Sequence, residues 1–157
     1  MSENYMAKKL FDEGAAAYLR EDYKESIKLF TKALQRDHKL ALVYSSRGTA
    51  HLKLNQFKRA ISDFSSAVSL NPRYARAYYL RGLAYEKMEN FAPAFRDFDQ
   101  SIEIDPDLVA AYRSRDSVLD KSLDDRLQME DAEIADHLAA MRVAQFAGEK
   151  ILPGSEI

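Results

Sequence analysis

The stretch LVYSSRGTAHLKLNQFKRAISDFSSAVSLNP, Leu42–Pro72, carries the series Tyr44, Gly48, Ala60, Phe64, Ala67 and Pro72, and the chain repeats it on either side. A shift of 34 residues forward returns Tyr78, Gly82, Ala94, Phe98, Ser101 and Pro106. The same shift backward returns Leu10, Gly14, Ser26, Phe30, Ala33 and His38. A period of this length marks stacked supersecondary units, each burying its apolar face against its neighbours.

Within each period the apolar spacing is helical. Phe57, Ala60, Ile61, Phe64, Ala67 and Val68 form one stripe over about 57–70, and Asn71-Pro72 ends it, because proline cannot continue a helix. Leu54-Asn55-Gln56 separates this segment from a helix over about 40–53. The neighbouring periods give helix pairs near 6–19 with 23–36 and near 74–87 with 91–104. Pro93 falls in a first helical turn, where its missing N–H is tolerated. Asp105-Pro106 reads as an N-cap and first-turn proline opening a seventh helix.

Glycine in mid-helix costs about 1 kcal/mol against alanine. Gly14, Gly48 and Gly82 in phase therefore point to a packing need, with Gly48 and Ala60 letting paired helices approach and Phe64 filling the space beside them. Arg47 precedes Asp63 by 16 residues, and Arg81 precedes Asp97 by the same interval. The first period has Glu13 and Leu29 at those places, so both members are absent together. The pattern predicts an Arg–Asp pair within each unit or between adjacent ones.

The aromatic–Gly–aromatic, Ala–Phe–Ala and closing Pro positions resemble the tetratricopeptide repeat. The resemblance covers three units, about 7–40, 41–74 and 75–108. It departs at His51 and Ala17, where the family usually has tyrosine, at His38 for the terminal proline and at Ser26 for an alanine. It implies an all-α, right-handed superhelical solenoid of antiparallel helix pairs. A capping helix over Leu108–Leu119 continues the phase with Tyr112, although Asp116 replaces the glycine. Repeats and cap together span 5–122. An acidic amphipathic helix follows over 123–150, striped by Leu123, Leu127, Ile134, Leu138 and Met141. It runs on from the cap or breaks near Asp124-Asp125, and 151–157 forms a frayed tail.

The resemblance further implies a concave groove lined by the first helix of each pair, which holds a peptide or a partner's helix. Carried over by phase, its wall contains Lys8, Phe11, Tyr18, Ser45, Ser46, Thr49, Lys53, Arg76, Tyr79, Leu83, Lys87 and Arg113. Phe11 and Tyr79 have an alternative role in packing neighbouring helices. One subgroup of the family grips chaperone C-terminal carboxylates with a Lys/Asn/Asn/Lys/Arg clamp. The matching positions are Phe11, Ala15, Ser46, Arg76 and Leu80, of which Arg76 alone keeps the charge, so chaperone-tail binding is not expected.

Composition narrows the remaining classes. Of 157 residues, 46% are hydrophobic and 31% charged, which suits an ordered chain. A net charge of −2 gives no basic face for nucleic acid. Absence of cysteine excludes disulfides and thiolate metal sites. No apolar run suits a membrane span, and Met1-Ser2-Glu3-Asn4 lacks a signal-peptide pattern, which fits a cytoplasmic protein. His38, His51 and His137 are far apart, Glu133 and His137 lack a second histidine at ligand spacing, and metal-protease, P-loop and dinucleotide motifs are missing. The expectation is a protein-interaction scaffold without catalysis, cofactor or metal. Its alternatives are self-association through the C-terminal helix, giving a homo-oligomer, and a groove autoinhibited by that helix.

Overall fold

The computed structural model describes residues 2–149, and these form α-helices without strands. They are α1 (Glu3–Leu19), α2 (Tyr23–Arg36), α3 (Ala41–Lys53), α4 (Phe57–Leu70), α5 (Ala75–Lys87), α6 (Phe91–Ile104) and α7 (Val109–Glu149). Helices α1 to α6 make three antiparallel pairs. The boundary between two compact units falls after Leu119. The frayed end expected over 151–157 lies outside the described residues.

Two kinds of turn recur with the sequence period. Between the helices of a pair, Glu21, Asn55 and Glu89 adopt left-handed φ of 62°, 56° and 59°. The Asp22, Gln56 and Asn90 N–H groups then donate to the carbonyls of Ala17, His51 and Tyr85 at 2.9–3.0 Å. This is the Schellman ending, which satisfies carbonyls that a helix terminus would leave open. Between pairs, Asp37, Asn71 and Asp105 leave the helix in extended conformation. Their side-chain oxygens accept from the N–H two residues on, at Lys39, Arg73 and Asp107.

Asp105 therefore ends α6 and does not cap α7, which starts at Val109. The expected start at Asp105-Pro106 is displaced because residues 106–107 form a turn, closed by the Leu108 N–H on the Asp105 carbonyl at 3.2 Å, before the helix begins. Helix α7 then continues through Asp124-Asp125 without a break.

The core is a row of phenylalanines, Phe30, Phe64 and Phe98, each essentially fully buried. Each lies against the glycine 16 residues earlier. A Cβ built on Gly14, Gly48 or Gly82 would stand 2.7, 2.8 or 2.6 Å from the ring of its phenylalanine. The space that glycine leaves is thus the space the ring fills. Tyr44 packs on Phe30, Ala33 and Leu34 of the preceding unit, linking pair to pair. Ser26, which stands where the repeat usually has alanine, is buried and donates to the Gly14 carbonyl at 2.9 Å. Val118 of α7 completes the last layer against Ala94 and Phe98.

Candidate functional site

The arginines singled out by their spacing pair as expected, and they are structural. Arg47 Nε and Nη2 donate to the two Asp63 carboxylate oxygens at 2.8 and 2.7 Å. Its Nη1 donates to the Thr31 hydroxyl of the preceding unit at 3.1 Å. Arg81 repeats the arrangement with Asp97 and Ser65. The guanidinium planes lie over Tyr44 and Tyr78. The hydrogen bonds from Asp63 and Asp97 raise the Arg47 and Arg81 pKa values, outweighing the burial that would lower them.

Each nitrogen of both guanidinium groups makes one of these hydrogen bonds, which ties both arginines into the repeat framework. Arg115 makes a third, looser rung, stacked on Tyr112 and bonded to Asp99 at 3.1 Å. The roles of Thr31, Ser65 and Asp99 were readable from their 34-residue spacing and their fixed distance before each arginine. His51 joins the same network. Its Nδ1 lies 2.6 Å from Gln56 Oε1 and its Nε2 3.7 Å from Asp63. It is buried and serves the packing of its pair.

The groove is a separate feature, formed by the first helices of successive pairs. A cavity of about 340 Å³ is lined by Ala15, Tyr18, Leu19, Leu42, Ser45, Ser46, Thr49, Tyr74 and Arg76, with the Phe30 ring behind them. It unites five of the sequence-derived positions: Tyr18, Ser45, Ser46, Thr49 and Arg76. Ser45 sits at its floor, 4% exposed, and its carbonyl accepts the Thr49 hydroxyl at 2.8 Å. Leu19 and Leu42 are 82% and 54% exposed, so large apolar side chains face solvent at the rim. Arg76 is exposed and carries no ion pair among the described residues.

The other positions lie elsewhere. Lys8 pairs with Asp12 at 3.0 Å in a depression shared with Tyr5, Lys9, Glu13 and Ala16. The Phe11 ring packs at a tilt against Phe30 with centroids 5.7 Å apart, and Tyr79 against Phe98 at 5.8 Å. Leu83 also packs against the Phe98 layer. Lys53, Lys87 and Arg113 are exposed and outside the cavity lining. Sequence reasoning missed Leu19 and Tyr74. Leu19 shares the repeat phase of Lys53 and Lys87, which was the signal that could have found it.

Helix pairs in a 34-residue register, a glycine under each phenylalanine and a groove along the first helices define the architecture. The TPR-repeat family model matches residues 48–89, and the tetratricopeptide-repeat model matches residues 75–108. Residues 48–108 are tetratricopeptide repeats. Among solved structures, the tetratricopeptide-repeat array resembles the first TPR of Spaghetti (RPAP3) bound to the HSP90 peptide SRMEEVD. That match has a TM-score of 0.75 and 26% identity, covering 76% of this chain and 95% of the other.

The Sgt2 TPR domain from Aspergillus fumigatus gives a TM-score of 0.73 and 27% identity, over 76% of this chain and 81% of that one. The TPR2B domain of yeast Sti1, in complex with pHsp70, gives 0.68 and 25% over 77% and 98%. No curated protein sequence matches the chain. Among the described residues no group of three or more His, Cys, Asp or Glu could hold a metal, and no helix is long and apolar enough to cross a membrane.

Proposed function

We propose that the protein is a non-catalytic interaction module that holds a peptide segment of a partner in the concave groove. The cavity between α1, α3 and the start of α5 carries the reading. Its apolar rim residues Leu19 and Leu42, with Tyr18 and Tyr74, suit one large aliphatic or aromatic side chain of the segment. Ser46 and Thr49 offer hydroxyls to its backbone. Arg76, with no ion pair among the described residues, suits a carboxylate beside that anchor. The similar first TPR of Spaghetti is bound to an HSP90 peptide, and the TPR2B domain of yeast Sti1 is in complex with pHsp70. Here the clamp positions Ala15 and Ser46 are small and uncharged, which favours an apolar anchor over a clamped chain terminus.

Peptides selected by phage display on the full chain test the reading. Selected peptides are expected to carry a large apolar residue near an acidic one. They should bind the Leu42→Asp/Arg76→Ala variant at least about tenfold more weakly, or about 1.4 kcal/mol, while its helical circular dichroism stays unchanged. Equal binding to both proteins overturns the groove as the site. SRMEEVD serves as a comparison probe and is expected to bind more weakly than the selected peptides.

A further inference from the structure

The second compact unit, which begins at Asp120 along α7, presents a surface of its own. Between Asp120 and Glu149 stand eight acidic and three basic residues, a formal charge of −5. At helical spacing Leu123, Ile134, Leu138 and Met141 fall on one face. They are 47%, 57%, 60% and 57% exposed, which is unusual for four large apolar side chains in line.

Two shallow depressions flank Leu138. Glu130, Glu133, Ile134 and His137 line one with it, and Ala135, Ala139, Arg142 and Val143 line the other. On the far side of the stripe the helical phase places Asp124. Asp124, Glu130 and Glu133 have no ion pair among the described residues. The Glu133 side of the stripe is therefore bordered mainly by carboxylates, with Arg126 in the same phase, while the other side carries Asp124 and, further along the helix, Arg142.

We infer that this face docks a cationic amphipathic helix from a partner protein. A leucine-rich stripe on such a helix would cover Ile134, Leu138 and Met141, and its flanking lysines or arginines would meet Glu130, Glu133 and Asp124. A second copy of the chain fits poorly, because it would set −5 against −5 along one seam, and like charges at close range repel. Phosphate-bearing partners are disfavoured by the same charge. This surface does not depend on the groove reading, and the two can fail separately.

The test uses the full chain and two synthetic peptides with leucines at helical spacing, one flanked by lysines and its sibling by glutamates. Fluorescence anisotropy is expected to show binding of the lysine peptide alone, weakening as salt is raised. Affinity should fall at least about tenfold in Glu130→Lys/Glu133→Lys and in Ile134→Ser/Leu138→Ser, while Arg76→Ala binds as the parent does. These side chains are exposed, so circular dichroism should be unchanged. Undiminished binding by the charge-reversal variant overturns the inference, as does equal binding of both peptides. Loss of binding in Arg76→Ala would move the peptide to the groove. A dimeric mass by light scattering that becomes monomeric in Ile134→Ser/Leu138→Ser would give the face to a second copy.

Discussion

The ring of Phe98 lies so close to Gly82 that a Cβ on the glycine would stand 2.6 Å from Cε1. The ring is fully buried between Ala94, Val118 and the tilted Tyr79, so it has no direction in which to yield. Glycine here answers to a distance, since its φ is ordinary for a helix.

Gly82→Ala should therefore destabilise the protein, although alanine is the better helix former. Overpacking of this kind costs about 1–3 kcal/mol, against about 1 kcal/mol gained in propensity. Urea unfolding followed by circular dichroism measures the difference. Adding Phe98→Leu to Gly82→Ala should recover part of the loss that Gly82→Ala alone causes. Independent, additive effects would show that the contact is not the cause.

Arg47 and Asp63 should prove strongly coupled. Asp63→Ala leaves a half-buried guanidinium without its bidentate partner, a change that costs about 3–5 kcal/mol for fully buried pairs and less here, where Arg47 keeps some solvent contact. A double-mutant cycle with Arg47→Ala is expected to give a coupling of about 1 kcal/mol or more. The raised pKa values of Arg47 and Arg81 stabilise the fold wherever both states are charged. That contribution is present at every pH below the ordinary arginine range and is lost only as pH climbs through the raised values. Stability measured between neutral and mildly alkaline pH should show no step from these groups.

The third rung should be much weaker. Asp99 is exposed and Arg115 partly so. Asp99→Ser should cost no more than about 1 kcal/mol in the same unfolding assay. A loss as large as that of Asp63→Ala would show that exposure does not set the strength of a rung.

Glu89 occupies a left-handed position that glycine or asparagine adopts with less strain. Glu89→Gly is expected to stabilise by up to about 1 kcal/mol, seen as a higher melting temperature. A lower melting temperature would mean that the glutamate side chain compensates its own backbone.

The helix pairs and the Arg–Asp rungs were legible because both follow from spacing alone: an apolar stripe fixes a helix, and a doubled interval fixes a pair. Asp105-Pro106 was not. An aspartate before a proline serves equally as the cap of a starting helix or the end of a finishing one, and the turn at 106–107, which delays the helix to Val109, decides between them. Phase brought Tyr18, Ser45, Ser46, Thr49 and Arg76 to the lining of one cavity. Lys8 lies outside that lining and pairs with Asp12 on its own helix. Phe11 and Tyr79 show the remaining difficulty. A half-buried aromatic at a groove position looks the same in sequence whether it faces a ligand or packs against a core ring.

The rungs also determine how the array can change length. Thr31 and Ser65 present a hydroxyl to the arginine of the following unit, whereas Asp99 presents a carboxylate. A tandem copy of 41–74 would reproduce each bond, with every guanidinium meeting one carboxylate and one hydroxyl. A copy of 75–108 would confront the new arginine with two carboxylates, one from each side. The middle unit is thus the transferable one, and growth by duplication is open at that place and penalised at the next.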